Sequence, residues 1–400
     1  MTRGTKIIIF ASRVTVAGLI SLLLLSLFFE LYLRRAGFLK AQPANYPCIT
    51  GDLILNHVFQ PNCEAKANGA DLKTPKDVTY KTNNKGYRGH APEPGKHSVV
   101  VIGDSYTEGF GLEEEESFPS VLENTLRSAG DKNWQVLNGG TMGYSTALYA
   151  NYFDRFFLQT KPRFILLNLD ISDFNDDPYY LINAEYDARN VPIAFPGREV
   201  FPSFLLPIIY SNSSAMLRFI HQELNQWFSI KRRENFEYRL DHWIHSDKPL
   251  ISSSDLKAAQ LEGCAKPIEL VAKHILLLKA RADLLGADFA IHMYPPGQFI
   301  KSYPQQQQSI SFVQRWDQSH RKNFSWACGV GPSVVQVMKG FAARQKIPFF
   351  DSFAFVNSRS DKAELYFDLD AHWNPRGVKL VVENLAKQMN PLFRESGRKG

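Results

Sequence analysis

From Val99 onward, short runs of β-branched and apolar residues alternate with amphipathic segments, and this alternation fixes the class of fold. Val99–Ile102, Gln135–Leu137, Phe164–Leu169, Phe289–Tyr294 and Pro348–Phe350 read as strands. Phe118–Arg127, Ala147–Leu158, Ile268–Leu285, Val334–Gln345 and Pro375–Met389 read as helices between or after them. Phe164–Leu169 is nearly all apolar, as a strand covered on both faces must be. The pattern predicts an α/β fold: a doubly wound (flavodoxin-like) parallel sheet of about five strands with helices on both faces.

Three parts are expected. Residues 1–40 form an N-terminal anchor or signal sequence, 41–98 a small lead-in of strands and turns, and 99–400 the main domain. The turn-prone Pro92-Glu93-Pro94-Gly95 marks the second boundary. An insertion, about 179–267, carries Tyr179, Tyr180, Phe201, Phe204, Trp227, Phe228 and Trp243. Because it follows a strand's C-terminal end, it lands on the face where such sheets bind ligands. It is either a lid or platform for substrate, or a small core of its own.

Val14–Phe29 is apolar and Leu31–Leu33 extends it past Glu30, a length of roughly 20 residues that spans a bilayer as a helix. Arg3, Lys6 and Arg13 precede it, Arg34 and Arg35 follow, and no small-x-small cleavage site comes after it. The expectation is an uncleaved transmembrane helix with the bulk of the chain outside the cytoplasm, at the periplasmic or extracellular side of a bacterial inner membrane; secretion after cleavage is the alternative. Four cysteines allow three pairings. Bridges 48–63 and 264–328 would suit an oxidising compartment, and four buried thiols are the competing reading. Net charge is +6 without a long basic tract, which argues against nucleic acid. Lys231-Arg232-Arg233 reads as a solvated helix face, with a membrane surface or anionic substrate as the alternative contact. Asn212 and Asn323 lie in Asn-x-Ser sequons. No Cys/His group has zinc-ligand spacing, and no metal or organic cofactor is expected.

The chemistry points to serine acyl transfer. Ser105 follows a strand and Gly103-Asp104, where Gly103 permits a tight turn and the serine opens the next helix, its own N–H facing a developing oxyanion. A capping serine is the plain alternative. A hydroxyl needs a base. His372 is the candidate, with Asp370 two residues away to orient it and Asp368 as competitor; Asn374 and Pro375 would start the helix behind it. His242, His245, His274 and His292 have no comparable partner and read as structural. Asn175, after the third strand, and Gly143, in Asn138–Ser145, could complete the oxyanion hole, although both also read as turn residues. Glu113–Glu116 reads as a solvated loop.

Taken as a set, these segments resemble the SGNH/GDSL hydrolase family, in particular its membrane-anchored bacterial members. The first block is Val101-Ile102-Gly103-Asp104-Ser105-Tyr106-Thr107, and the second runs Asn138 to Gly143. The third is Asp173-Phe174-Asn175-Asp176 and the last Asp370-Ala371-His372. Thr82-Asn83-Asn84-Lys85-Gly86-Tyr87-Arg88-Gly89 is similar to a segment ahead of the serine block in tethered members. The chain departs at Asp173, where the family has glycine, and in its Asp-x-His spacing, where Asp-x-x-His is common. The resemblance implies a flexible serine site, with Ser105, Asp370 and His372 catalytic and Ser105, Gly143 and Asn175 holding the oxyanion. It implies hydrolysis of an ester-linked acyl group on a glycan or lipid, or transfer of an acetyl group to an exported polysaccharide. A membrane acyltransferase or polysaccharide export machinery would be the partner in that second case. From another class comes a non-catalytic glycan binder or scaffold on the same fold.

Overall fold

In the computed structural model, the described residues are 3–35, 47–130, 133–181, 184–195, 216, 243–244, 248–303 and 330–398. The sequons, Lys231–Arg233, His242, His245, Cys328 and most of the expected 179–267 insertion lie outside them. The chain divides into two compact units. One comprises residues 1–45, 198–231 and 305–324, the other the remainder.

In the first unit the described residues are the helix Arg3–Arg35 and Met216. Within that helix, Thr15–Leu33 is a stretch of 19 residues long and apolar enough to cross a membrane. At about 1.5 Å per residue it measures roughly 28 Å, close to a bilayer's hydrocarbon core. Leu22, Leu23, Leu25 and Phe28 are exposed along it.

The second unit begins with two small antiparallel hairpins. β1 (Ile49–Asp52) pairs with β2 (Asn56–Phe59), and β3 (Glu64–Ala67) with β4 (Val78–Lys81). Cys48 and Cys63 form a disulfide beside Phe59, Val78 and Tyr80. Cys264 is also disulfide-bonded.

The main sheet is β5 (His97–Gly103), β6 (Trp134–Gly140), β7 (Phe164–Leu169), β10 (Asp288–Met293) and β11 (Phe349–Asp351). A short pair, β8 (Glu185–Tyr186) and β9 (Pro192–Ala194), stands apart from it. All five main strands are parallel, in the order β11-β10-β7-β5-β6. This is the flavodoxin-like order expected from the sequence.

Alternation along the strands builds two cores. Val99, Val101, Val136, Phe164 and Leu166 face Leu122 and Leu126 of the helix Phe118–Ser128 and Val378, Val382 and Leu385 of the helix Pro375–Arg398. Val100, Ile102, Ile165 and Leu167 point the opposite way and are fully buried. The helices Thr146–Phe156 and Ala265–Leu285 pack on that side, against each other and the sheet.

The chain leaves β5 toward β6 at one edge and returns past β5 to β7. The strand order therefore reverses between β5 and β7. Loops leaving the C-terminal ends of those two strands flank the crevice where open α/β sheets bind ligands. Ser105 follows β5, and Asp170 to Asn175 follow β7.

Candidate active site

Ser105 opens a single helical turn, Ser105–Glu108, capped by Asp104, whose carboxylate accepts from the Tyr106 N–H at 2.9 Å. Gly103 has no left-handed backbone. It is needed for close approach: a Cβ there would lie 2.2 Å from Thr107 Oγ1. Gly140 answers the same demand at the end of β6, where a Cβ would lie 2.1 Å from the Glu108 nitrogen. The serine turn thus sits tightly across the ends of two neighbouring strands. With only one turn of helix behind it, the macrodipole adds little at the Ser105 N–H.

The other half of the site arrives from far along the chain. Tyr366 and Trp373 form an antiparallel bridge, and the Phe367 N–H donates to the His372 carbonyl at 3.0 Å. The loop between them presents Asp370 and His372. Asp370 Oδ1 accepts from the His372 backbone N–H at 2.9 Å and also faces ring Nδ1. One carboxylate oxygen holding both groups explains why two-residue spacing works here. Burial pushes the Asp370 carboxyl up, but its hydrogen bonds to His372 outweigh burial and hold it below the ordinary aspartate value. Asp368 is fully exposed and reaches Lys301 at 3.6 Å. Asn374 accepts from the Gly377 N–H at 3.0 Å and so caps the final helix, which Pro375 starts.

The two halves meet where His372 Nε2 lies 2.7 Å from Ser105 Oγ. The imidazole sits between two rings. Phe110 stacks on one side, with centroids 4.3 Å apart and planes 25° apart, and Tyr106 lies on the other at 4.5 Å. The Tyr106 hydroxyl and the Gly297 N–H both donate to the Ala371 carbonyl, at 2.5 and 3.0 Å, and fix the loop from behind.

Gly143 lies three residues beyond β6 with φ of 72°, a conformation that favours glycine. Tyr180, at the start of the expected insertion, donates to the Gly143 carbonyl at 2.5 Å. Among the described residues, neither the Ser105 nor the Gly143 N–H has a hydrogen-bond acceptor. Asn175 does not sit in a turn but in the first turn of the helix Asp173–Leu181, and its side chain lies outside the described residues.

Asp173, standing where the resemblance implies glycine, is fully buried. It accepts from the Tyr149 hydroxyl at 3.0 Å and the Asp170 N–H at 2.9 Å. Asp104, Asp170 and Asp173 are all buried; burial first, then mutual repulsion for Asp104 and Asp173, raises these carboxyls above the ordinary range.

Two readings of the sequence are corrected. Glu113–Glu116 is not simply a solvated loop: Glu114 pairs with the fully buried Arg88, Nε to Oε2 at 3.1 Å. His274 does have a carboxylate partner, with Nδ1 lying 2.6 Å from Asp177 Oδ2. His292 is structural as read, held between Asn168 and Ser352, and burial lowers its pKa to about 3.

Sequence reasoning passed over Tyr106, Phe110, Arg88 and His57. Arg88 donates to the Gly109 carbonyl at 2.6 Å and to that of Leu112, and stacks on Tyr80 at 4.2 Å; the Tyr80 hydroxyl accepts from the Gly111 N–H. These bonds hold the loop that carries Phe110. The one available signal was position: Arg88 lies in the Thr82–Gly89 segment already singled out.

No family model matches the chain, and no curated protein matches it. Solved structures similar to it include the psychrotrophic esterase EstA from Pseudoalteromonas sp., 10% identical over 75% of this chain and 100% of that one, with a TM-score of 0.37. A lipase/acylhydrolase from Enterococcus faecalis is 11% identical, covering 76% and 96%, at 0.37. A GDSL-like lipase from Bacteroides thetaiotaomicron is 11% identical, covering 75% and 90%, at 0.33. Independently of these, the chain's own side chains bring Ser105, His372 and Asp370 into one hydrogen-bonded line at the sheet's C-terminal rim, the arrangement that its resemblance to the SGNH/GDSL hydrolases implies.

Proposed function

We propose that the protein is an SGNH/GDSL-type serine esterase that releases an acyl group from an ester on a glycan or lipid through an acyl-serine intermediate. The observation that carries this reading is the 2.7 Å contact between Ser105 Oγ and His372 Nε2, with Asp370 on the opposite ring nitrogen. Asp370 keeps the proton on Nδ1, so Nε2 offers its lone pair to the serine hydroxyl. Ser105 Oγ attacks the ester carbonyl carbon as His372 takes its proton. The carbonyl oxygen becomes an oxyanion, held by the Ser105 and Gly143 N–H groups and, in this reading, the Asn175 amide. His372 then protonates the departing alkoxide, and the alcohol leaves. Water attacks the acyl-serine, with His372 again as base, and the acid is released.

In this reading the enzyme works outside the cytoplasm, with the N-terminal helix as its membrane tether. The apolar stretch Thr15–Leu33 and the Cys48–Cys63 disulfide support that placement, since disulfides persist in oxidising compartments.

Ser105→Ala tests the reading. Turnover of a small aryl ester should vanish while the melting temperature holds, and a fluorophosphonate should label the parent at Ser105 alone. Unchanged turnover, or no labelling, overturns it. Supplying a polysaccharide and following its mass separates release of acyl groups to water from their transfer to sugar hydroxyls.

A further inference from the structure

The peptide unit between Met142 and Gly143 is held from two sides. Its carbonyl belongs to Met142 and its N–H to Gly143. On the carbonyl side, His57 Nε2 from β2 lies 2.8 Å from the Met142 oxygen, across 85 residues of chain. One bond earlier, the Met142 N–H donates to the buried Glu108 carboxylate at 2.5 Å. A carbonyl only accepts, so His57 must carry its proton on Nε2. Burial lowers the His57 pKa, which favours the neutral ring. Nδ1 then faces the end of the Asn56 side chain at 3.0 Å, and that amide, turned over, supplies the donor Nδ1 needs. Tyr144 packs edge-on against the ring at 5.0 Å and donates its hydroxyl to the His57 carbonyl, so the imidazole has a fixed seat.

A peptide plane turns as one body. A hydrogen bond at the carbonyl end fixes where the N–H points, and it also polarises the unit, strengthening the N–H as a donor. Oxyanion stabilisation depends on donors aimed before the reaction begins. We propose that His57 is a positioning residue for the oxyanion hole: its Nε2–H bond to the Met142 carbonyl aims the Gly143 N–H at the developing negative charge. The proposal rests on the serine reading above, in which Gly143 is an oxyanion donor. It makes the lead-in hairpin part of the reacting site.

Two variants separate this role from simple packing. The amide nitrogen of Gln reaches about where Nε2 stands, whereas Asn ends about where Nδ1 stands. His57→Gln should keep kcat within about threefold of the parent. His57→Asn should lower kcat about ten- to a hundredfold, part of what deleting an oxyanion donor costs, with KM within twofold. Affinity for an aryl boronic acid, which forms a tetrahedral adduct on the serine, should fall by the same factor in His57→Asn only. His57→Leu carries the comparison should His57→Asn fail to fold. Parent-like kcat in both variants, equal loss in both, or a change confined to KM overturns the proposal. Ser105→Ala, assayed alongside, tells the two failures apart: if it stays active, the serine reading falls and this proposal with it; if it is inactive, the His57 variants decide the present point alone.

Discussion

Phe110 stacks face-on against His372, its ring centre 4.3 Å from the centre of the imidazole. With Tyr106 on the other side, the ring has one orientation in which Nε2 points at the serine. Phe110→Leu should leave the melting temperature nearly unchanged and lower kcat about tenfold, while Phe110→Tyr restores it. The size follows from the cost of losing near-attack geometry, about 10²-fold for a 1 Å misplacement. Steady-state kinetics on an aryl acetate checks this. A pure rise in KM would show that Phe110 contacts substrate instead.

Asp370 fixes the tautomer of His372. Asp370→Asn should lower kcat by on the order of 10³- to 10⁴-fold, because an amide can donate to Nδ1 and leave the proton on Nε2. Fluorophosphonate labelling of Ser105 should slow in parallel. In the parent, the lowered Asp370 carboxyl contributes stability that is complete above the ordinary value of 3.8. It is lost as pH falls through the still lower folded value. The parent's melting temperature should therefore drop more steeply than the variant's below about pH 4.

Arg88 is a buried guanidinium with one carboxylate and several carbonyls around it. Arg88→Met would leave the Glu114 carboxylate, among the described residues, with only the Ser117 and Ser120 hydroxyls and take the guanidinium away from the Gly109 and Leu112 carbonyls. We expect a stability loss of about 3 kcal/mol, at the lower end for a broken buried pair, read by chemical denaturation. Arg88→Lys keeps the charge but not the fork, and should recover only part of that loss.

Asp173 carries the opposite sign. Its raised carboxyl means the folded protein holds a proton that the unfolded chain releases above about pH 4. Folding stability attributable to this group therefore falls as pH rises. Asp173→Asn removes the charge and keeps a donor and an acceptor for Tyr149 and the Asp170 N–H. The variant should gain on the parent as pH rises above about 4, because only the parent must keep a proton that the unfolded chain gives up. Melting curves across that range measure it. A constant offset would mean Asp173 keeps one protonation state throughout.

The strands were legible because burial on both faces forces continuous apolar runs, as in Val99–Ile102 and Phe164–Leu169. Their helices were legible because each covers one face only. Ser105, Asp370 and His372 could be picked out because strand-end loops expose chemistry-bearing residues in short patterns. Arg88 and His57 could not. Their partners are backbone carbonyls at Gly109, Leu112 and Met142, and a carbonyl leaves no trace in the identity of its residue. Phe110 was hidden for a related reason: next to Gly109 and Gly111 it looks like loop filler until the distant imidazole is brought beside it. Asn175 opens a helix rather than the turn that its Asp- and Asn-rich surroundings also signal, since the same residues favour both.

The hairpins ahead of β5 also bear on where the smallest working enzyme ends. Trimmed to start at Gly95, the polypeptide would keep all five parallel strands, Ser105 and His372. It would lose His57, Tyr80 and Arg88 together, and with them the brackets on both lips of the reaction cleft. If Ser105 is the nucleophile, a shortened protein that still folds should turn over poorly, and the working enzyme would then extend further toward the N-terminus than the sheet does.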